Sequence, residues 1–90
     1  MIDDVVLLEE LYLAHHSLRS AYPMLLRARE KFPDNHKIAA AVHALFICLR
    51  ATDQALDNEW ETKEVLETLN ESRDAMQMVR IAVNSRKAKA

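Results

Sequence analysis

The chain has 90 residues, half of them apolar, with no glycine, two prolines, one cysteine and a formal net charge of -2. A chain of this length makes one domain that buries only roughly 60% of its unfolded surface, so its core is thin and a partner or self-association would add to it. The lack of glycine leaves few places for hairpins or flexible linkers, and a lone thiol excludes an intramolecular disulfide, so the composition is that of an all-helical protein.

A first helix is expected to start at Asp3 or Asp4, either of which can cap it, with Val5, Leu8, Leu11 or Tyr12, and His15 or Leu18 at helical spacing. From there two readings are open. In one, Leu18, Tyr22 and Leu25 continue the seam, and residues 4–31 form a single helix kinked where Pro23 lacks a donor and crowds the carbonyl four residues back. In the other, a tight turn at His16–Ser20 separates two helices, with Ser17 or Ser20 as cap and Pro23 in the first turn of the second. The turn is the preferred reading. Ala21, Leu25, Ala28 and Phe32 then form one face at 4-3-4 spacing, and Pro33 ends it.

Asp34 or Asn35 is expected to cap the next helix, which runs to about Ala51. Its Ile38, Val42, Leu45, Phe46 and Leu49, with alanines between them, are apolar over more than one stripe, which makes it the central helix. A turn follows either at Thr52-Asp53 or at Asp57-Asn58, the latter with Glu61 completing a capping box. The last helix then reaches about Arg86 on a seam of Val65, Leu69, Ser72, Met76, Val79 and Val83, the 4-3 alternation of coiled-coil-like packing. Residues 1–90 are thus read as one antiparallel bundle of three to four helices, with about 86–90 frayed beyond the reach of its neighbours.

Residues 5–35 resemble the tetratricopeptide repeat, a helical hairpin of about 34 residues. Val5, Leu8 and Tyr12 fall where its first helix carries large packing residues; Ala21, Leu25 and Ala28 match its second helix, and Pro33 its end. Leu8 and Val42, Tyr12 and Phe46, and Ala21 and Ala55 repeat at a separation of 34 residues, although residues 36–56 match poorly and Glu9 and His43 stand where a small residue belongs. The resemblance implies a concave groove lined by Val6, Glu10, Leu13, Ala40, Ala44 and Ile47, apolar enough for an amphipathic helix. The family's basic clamp for carboxyl-terminal peptides has no match among those residues.

Catalytic and metal chemistry finds little support. Glu64, Glu67, Glu71 and Asp74 share one face of a single helix, whereas a magnesium-dependent nucleotide hydrolase needs carboxylates converging from several directions; a solvated face is the better reading. His15 and His16 point about 100° apart on a helix, no histidine follows a glutamate by three residues, and Cys48 lies in an apolar run as a buried thiol. No metal or cofactor is expected, and no enzyme. The Arg19–Lys37 stretch carries five bases against Glu30 and Asp34, and a nucleic-acid module using Arg19, Arg27 and Arg29 is the alternative, against which the overall acidity argues.

The expected function is therefore that of a non-enzymatic interaction module, a small adaptor, chaperone or inhibitor that binds a partner's amphipathic helix and self-associates. Leu7, Tyr12, Leu13, Phe46, Ile47, Trp60 and Met78 are the surplus apolar residues expected to bind the partner. The acidic start does not read as a signal peptide and no apolar run reaches transmembrane length, so a cytoplasmic setting without membrane contact is expected.

Overall fold

Three apolar seams, one per helix, build the molecule. A computed structural model describes residues 5–57 and 61–88, and these form α1 (Val5–Lys31), α2 (His36–Asp57) and α3 (Thr62–Ala88) with no strand among them. The all-α bundle is as expected, with three helices. They run up, down and up, in a rod of 47 × 18 × 16 Å. The length suits helices of 27 residues rising about 1.5 Å per residue.

Residues 5–31 form one helix, so the turn preferred at His16–Ser20 is absent. The physical reason is a seam that crosses that place without a break: Leu7, Leu11, Ala14, Leu18, Ala21, Leu25, Ala28 and Phe32 alternate at 4-3 spacing. Leu7, Leu11, Leu18 and Leu25 are buried, and each buried leucine contributes on the order of 2 kcal/mol. Pro23 sits exposed inside the helix, where it costs about 3 kcal/mol locally. Packing along the whole seam outweighs that penalty. Val5, expected on the seam, is exposed, and of the alternatives Leu11 and Tyr12 it is Leu11 that is buried and Tyr12 that is exposed. The segment that resembles a tetratricopeptide hairpin is thus a single helix, and the hairpin that opens the bundle is α1 with α2.

The connection is a turn in which the Asn35 N–H donates to the Phe32 carbonyl (3.1 Å), with Pro33 at its first corner. Asn35 then caps α2, its Oδ1 accepting from the N–H groups of Lys37 (3.0 Å) and Ile38 (3.2 Å). Its Nδ2 donates to Ser85 Oγ on α3 (3.3 Å). α3 is therefore tied at Ser85 to the start of α2, and the helix continues through Ala88; residues 89–90 lie outside the described part. α2 passes Thr52 and Asp53 without a turn and ends at Asp57. The Glu61 carbonyl accepts from Val65 N–H to start α3 (3.1 Å), while Asn58, the other half of the expected capping box, is outside the described residues.

α2 is central: Ile38, Ala41, Leu45, Cys48, Thr52 and Ala55 keep 3-4 spacing and are all buried. On α3 the expected seam holds for Val65, Leu69 and Ser72, but further along burial passes to the small residues Ala75 and Ala82, leaving Met76, Val79 and Val83 half-buried beside them. Small residues let α3 approach α2 closely. Two apolar clusters result, one around Leu18, Leu25, Ile38, Leu45 and Ala82, the other around Leu7, Leu11, Ala55, Val65 and Leu69. Between them in every helix stands a polar residue: His15 on α1, Thr52 on α2 and Ser72 on α3. His15 Nδ1 is 2.7 Å from Thr52 Oγ1, which also lies 2.9 Å from the Cys48 carbonyl; an imidazole with its proton on Nδ1 lets both bonds form at once, with the hydroxyl donating to the carbonyl. Ser72 donates to the Thr68 carbonyl (2.8 Å). Among the described residues no buried side-chain nitrogen or oxygen lacks a partner.

Candidate interaction surface

α1 and α3 both lie against α2 along their length but meet each other less extensively. The result is a cleft between them. Its upper part, about 490 Å³, is walled by Glu10, Ala14 and Ser17 of α1 and by Leu69, Ser72, Arg73, Met76, Gln77 and Arg80 of α3. Its lower part, about 130 Å³, is almost wholly apolar, with Ala21, Met24, Leu25 and Ala28 facing Val79, Ala82 and Val83 over Ile38. The α1 wall is low because every second seam position there is alanine, and the α3 wall follows from the half-buried Met76, Val79 and Val83.

Large apolar side chains stand at its lip. Leu13 is 61% exposed and Met24 62%, both on the α1 edge. They belong to a second line on α1, Glu10, Leu13, Ser17, Ser20, Met24 and Arg27, every member of which is exposed. Leu13 is among the residues expected to bind a partner and Met24 is not; the signal that joins them is a second 3-4 alternation one position away from the seam.

The residues expected to bind a partner are not gathered in one place. Leu7 is a correction: it is 5% exposed, in the core on the leucine seam, because the buried face of α1 is turned about 100° from the one inferred through Leu8 and Tyr12. Tyr12 and Leu13 are exposed on α1 but on adjacent faces. Phe46 is half-exposed in a shallow groove between α1 and α2, beside Tyr22 and Leu49, with the Arg50 guanidinium 5.9 Å over its ring. Ile47 is exposed on α2, Met78 is half-buried against the core, and Trp60 lies outside the described residues. Nor do the groove residues implied by the repeat resemblance line one surface: Glu10 faces α3 across the cleft, whereas Ala44 packs into the core.

Charge is separated along the rod. Because α1 and α3 are acidic early and α2 is acidic late, the antiparallel arrangement collects Glu9, Glu10, Asp53, Asp57, Glu61, Glu64, Glu67, Glu71 and Asp74 in one half, against Arg50, Lys63 and Arg73. The other half carries Arg27, Arg29, Lys31, Lys37 and Arg80 against Glu30 and Asp34, with Arg19 at the boundary beside Asp53 and Asp57. The sign changes near Ser17 on α1 and Met76 on α3, which meet across the cleft. Glu64, Glu67, Glu71 and Asp74 are all exposed on α3, a solvated face. Among the described residues no group of three or more histidine, cysteine or acidic side chains could hold a metal ion, and no helix is long and apolar enough to cross a membrane. Burial pushes the Cys48 thiol above its usual pKa, with the Glu71 and Asp74 charges adding to the rise and a hydrogen bond with Ser72 opposing it. Such a thiol is a packing residue and a poor nucleophile. Comparison with protein-family models, with curated proteins and with solved structures returns no match.

Proposed function

We propose that this protein is a non-enzymatic interaction module, a small adaptor, chaperone or inhibitor, that receives a helix of another protein chain along the α1–α3 cleft. The observation that carries this reading is the cleft itself: an apolar floor from Ala21 to Val83, open to solvent, with Leu13 and Met24 unburied at its edge. Laying an amphipathic helix there would bury those side chains and complete a four-helix arrangement. The basic half of the rod supports a nucleic-acid reading less well, since the acidic half repels a phosphate backbone that extends along it.

The test is to map a captured partner by chemical-shift perturbation on the labelled protein, with Leu13→Glu and Met24→Glu as variants. Shifts concentrated on Ala14, Ala21, Met76 and Val83, and loss of binding in both variants with helicity unchanged, are expected. Binding that survives both substitutions and is lost in Phe46→Glu would move the site to the α1–α2 groove and refute this reading.

A further inference from the structure

The exposed line on α1 is self-complementary when reversed. Its members, Glu10, Leu13, Ser17, Ser20, Met24 and Arg27, follow a 3-4-3-4-3 spacing that reads the same in both directions. Set against a copy of itself running the opposite way, with the two-fold axis between Ser17 and Ser20, Leu13 meets Met24, Ser17 meets Ser20 and Glu10 meets Arg27. Each match is of the right kind. The two largest exposed apolar side chains of the line cover one another, small residues lie where the helix axes come closest, and an acid pairs with a base at either end. Ser20 already spends its hydroxyl proton on the His16 carbonyl (2.9 Å), so it presents no unmet donor to the crossing.

We propose that a second copy of this chain is the first occupant of this face, joined α1 to α1 in an antiparallel, two-fold dimer. The proposal rests on the interaction-module reading and names its partner. Charge argues for the same arrangement independently of the stripe: an antiparallel pair lays the acidic half of each rod beside the basic half of the other, whereas a parallel pair would set like charges side by side over the whole length. An isologous contact also needs one patch that complements itself, which this line provides.

The experiment is sedimentation equilibrium of the whole chain over a range of concentrations and salt, on wild type, Leu13→Glu, Glu10→Lys, Arg27→Glu and the double variant Glu10→Lys/Arg27→Glu. Wild type is expected at twice the 10.3 kDa chain mass, with a dimer that weakens as salt rises. Leu13→Glu is expected to be monomeric with unchanged helicity. Each single charge reversal turns two attractions per dimer into repulsions and should weaken association roughly tenfold. The double variant should regain it. Residues 10 and 27 lie 17 residues apart on one helix, about 25 Å, so that recovery can only come from pairing between chains in the antiparallel register. A wild-type monomer at every concentration would overturn the proposal, and so would a double variant as weak as the singles. Because Leu13→Glu serves both tests, the two readings are told apart on α3: a foreign helix in the cleft shifts Met76 and Val83, whereas an α1–α1 contact leaves them unchanged.

Discussion

Asn35 joins all three parts of one end of the rod, and its replacement tests how that end is held. Asn35→Ala removes the cap of α2, which accepts from Lys37 and Ile38 N–H groups, at a cost of about 1–2 kcal/mol. It also removes the bond from Nδ2 to Ser85, a contact long enough to be worth about 0.5 kcal/mol. Together these give about 2 kcal/mol, or a Tm lower by roughly 8–16 °C for a domain of this size. Asn35→Asp separates the two contributions. A carboxylate still accepts from both amides and is favoured by the helix dipole, but it cannot donate to Ser85, so this variant should lie within about 0.5 kcal/mol of wild type. Ser85→Ala should lose a similarly small amount, because the Ser85 hydroxyl proton is otherwise directed to the Ala82 carbonyl. Urea denaturation followed by circular dichroism measures all three. An aspartate variant as unstable as the alanine variant would show that capping is not what Asn35 contributes, and the reasoning would fail.

Three further outcomes follow from the packing. Ala82→Leu, placing a large side chain where α3 is fully buried, should destabilise by about 1–3 kcal/mol, whereas Ala39→Leu on the exposed side of α2 should stay within about 0.5 kcal/mol; equal effects would refute close approach through small residues. Pro23→Ala restores a helix hydrogen bond at an exposed site and should raise stability by about 2 kcal/mol after allowance for the freer unfolded chain, read as an increased Tm. Cys48 holds its proton more tightly folded than unfolded, so its contribution is complete below the ordinary thiol pKa and is lost as pH rises from about 8.5. Cys48→Ala should flatten the alkaline fall in stability, and native Cys48 should react with a thiol reagent only as denaturant opens the bundle.

The class of fold, the central place of α2, a cap at Asp34 or Asn35 and the first half of the α3 seam could all be read from residue spacing, because each rests on a pattern confined to one helix. α1 could not, for two physical reasons. Proline is a local signal of a break, and only the summed burial of Leu18 within the expected turn and Leu25 beyond it outweighs it. The start of α1 is also apolar on several faces, so Leu8 with Tyr12 and Leu7 with Leu11 offer rival seams; the seam that survives is the one continuing to Ala28, which a short window does not reveal. The same rotation placed Leu7 on the surface and left Met24 out of the expected surface beside Leu13. The cleft was legible only in part, since its depth depends on which of two neighbouring α3 positions, Ala75 or Met76, turns inward against α2.

The polar layer of His15, Thr52 and Ser72 bears on how α1 finds its place along α2. Leu11, Leu18 and Leu25 recur every seven residues, as do Ala14, Ala21 and Ala28, so sliding α1 by one heptad, about 10 Å, would present nearly the same greasy profile to its neighbours. Greasiness alone therefore leaves several alignments close in energy. Only one of them puts an imidazole opposite the Thr52 hydroxyl, since a heptad slip brings Leu8 or Tyr22 there instead. That bond joins the tight Phe32–Asn35 turn in marking one alignment out of a ladder of look-alikes.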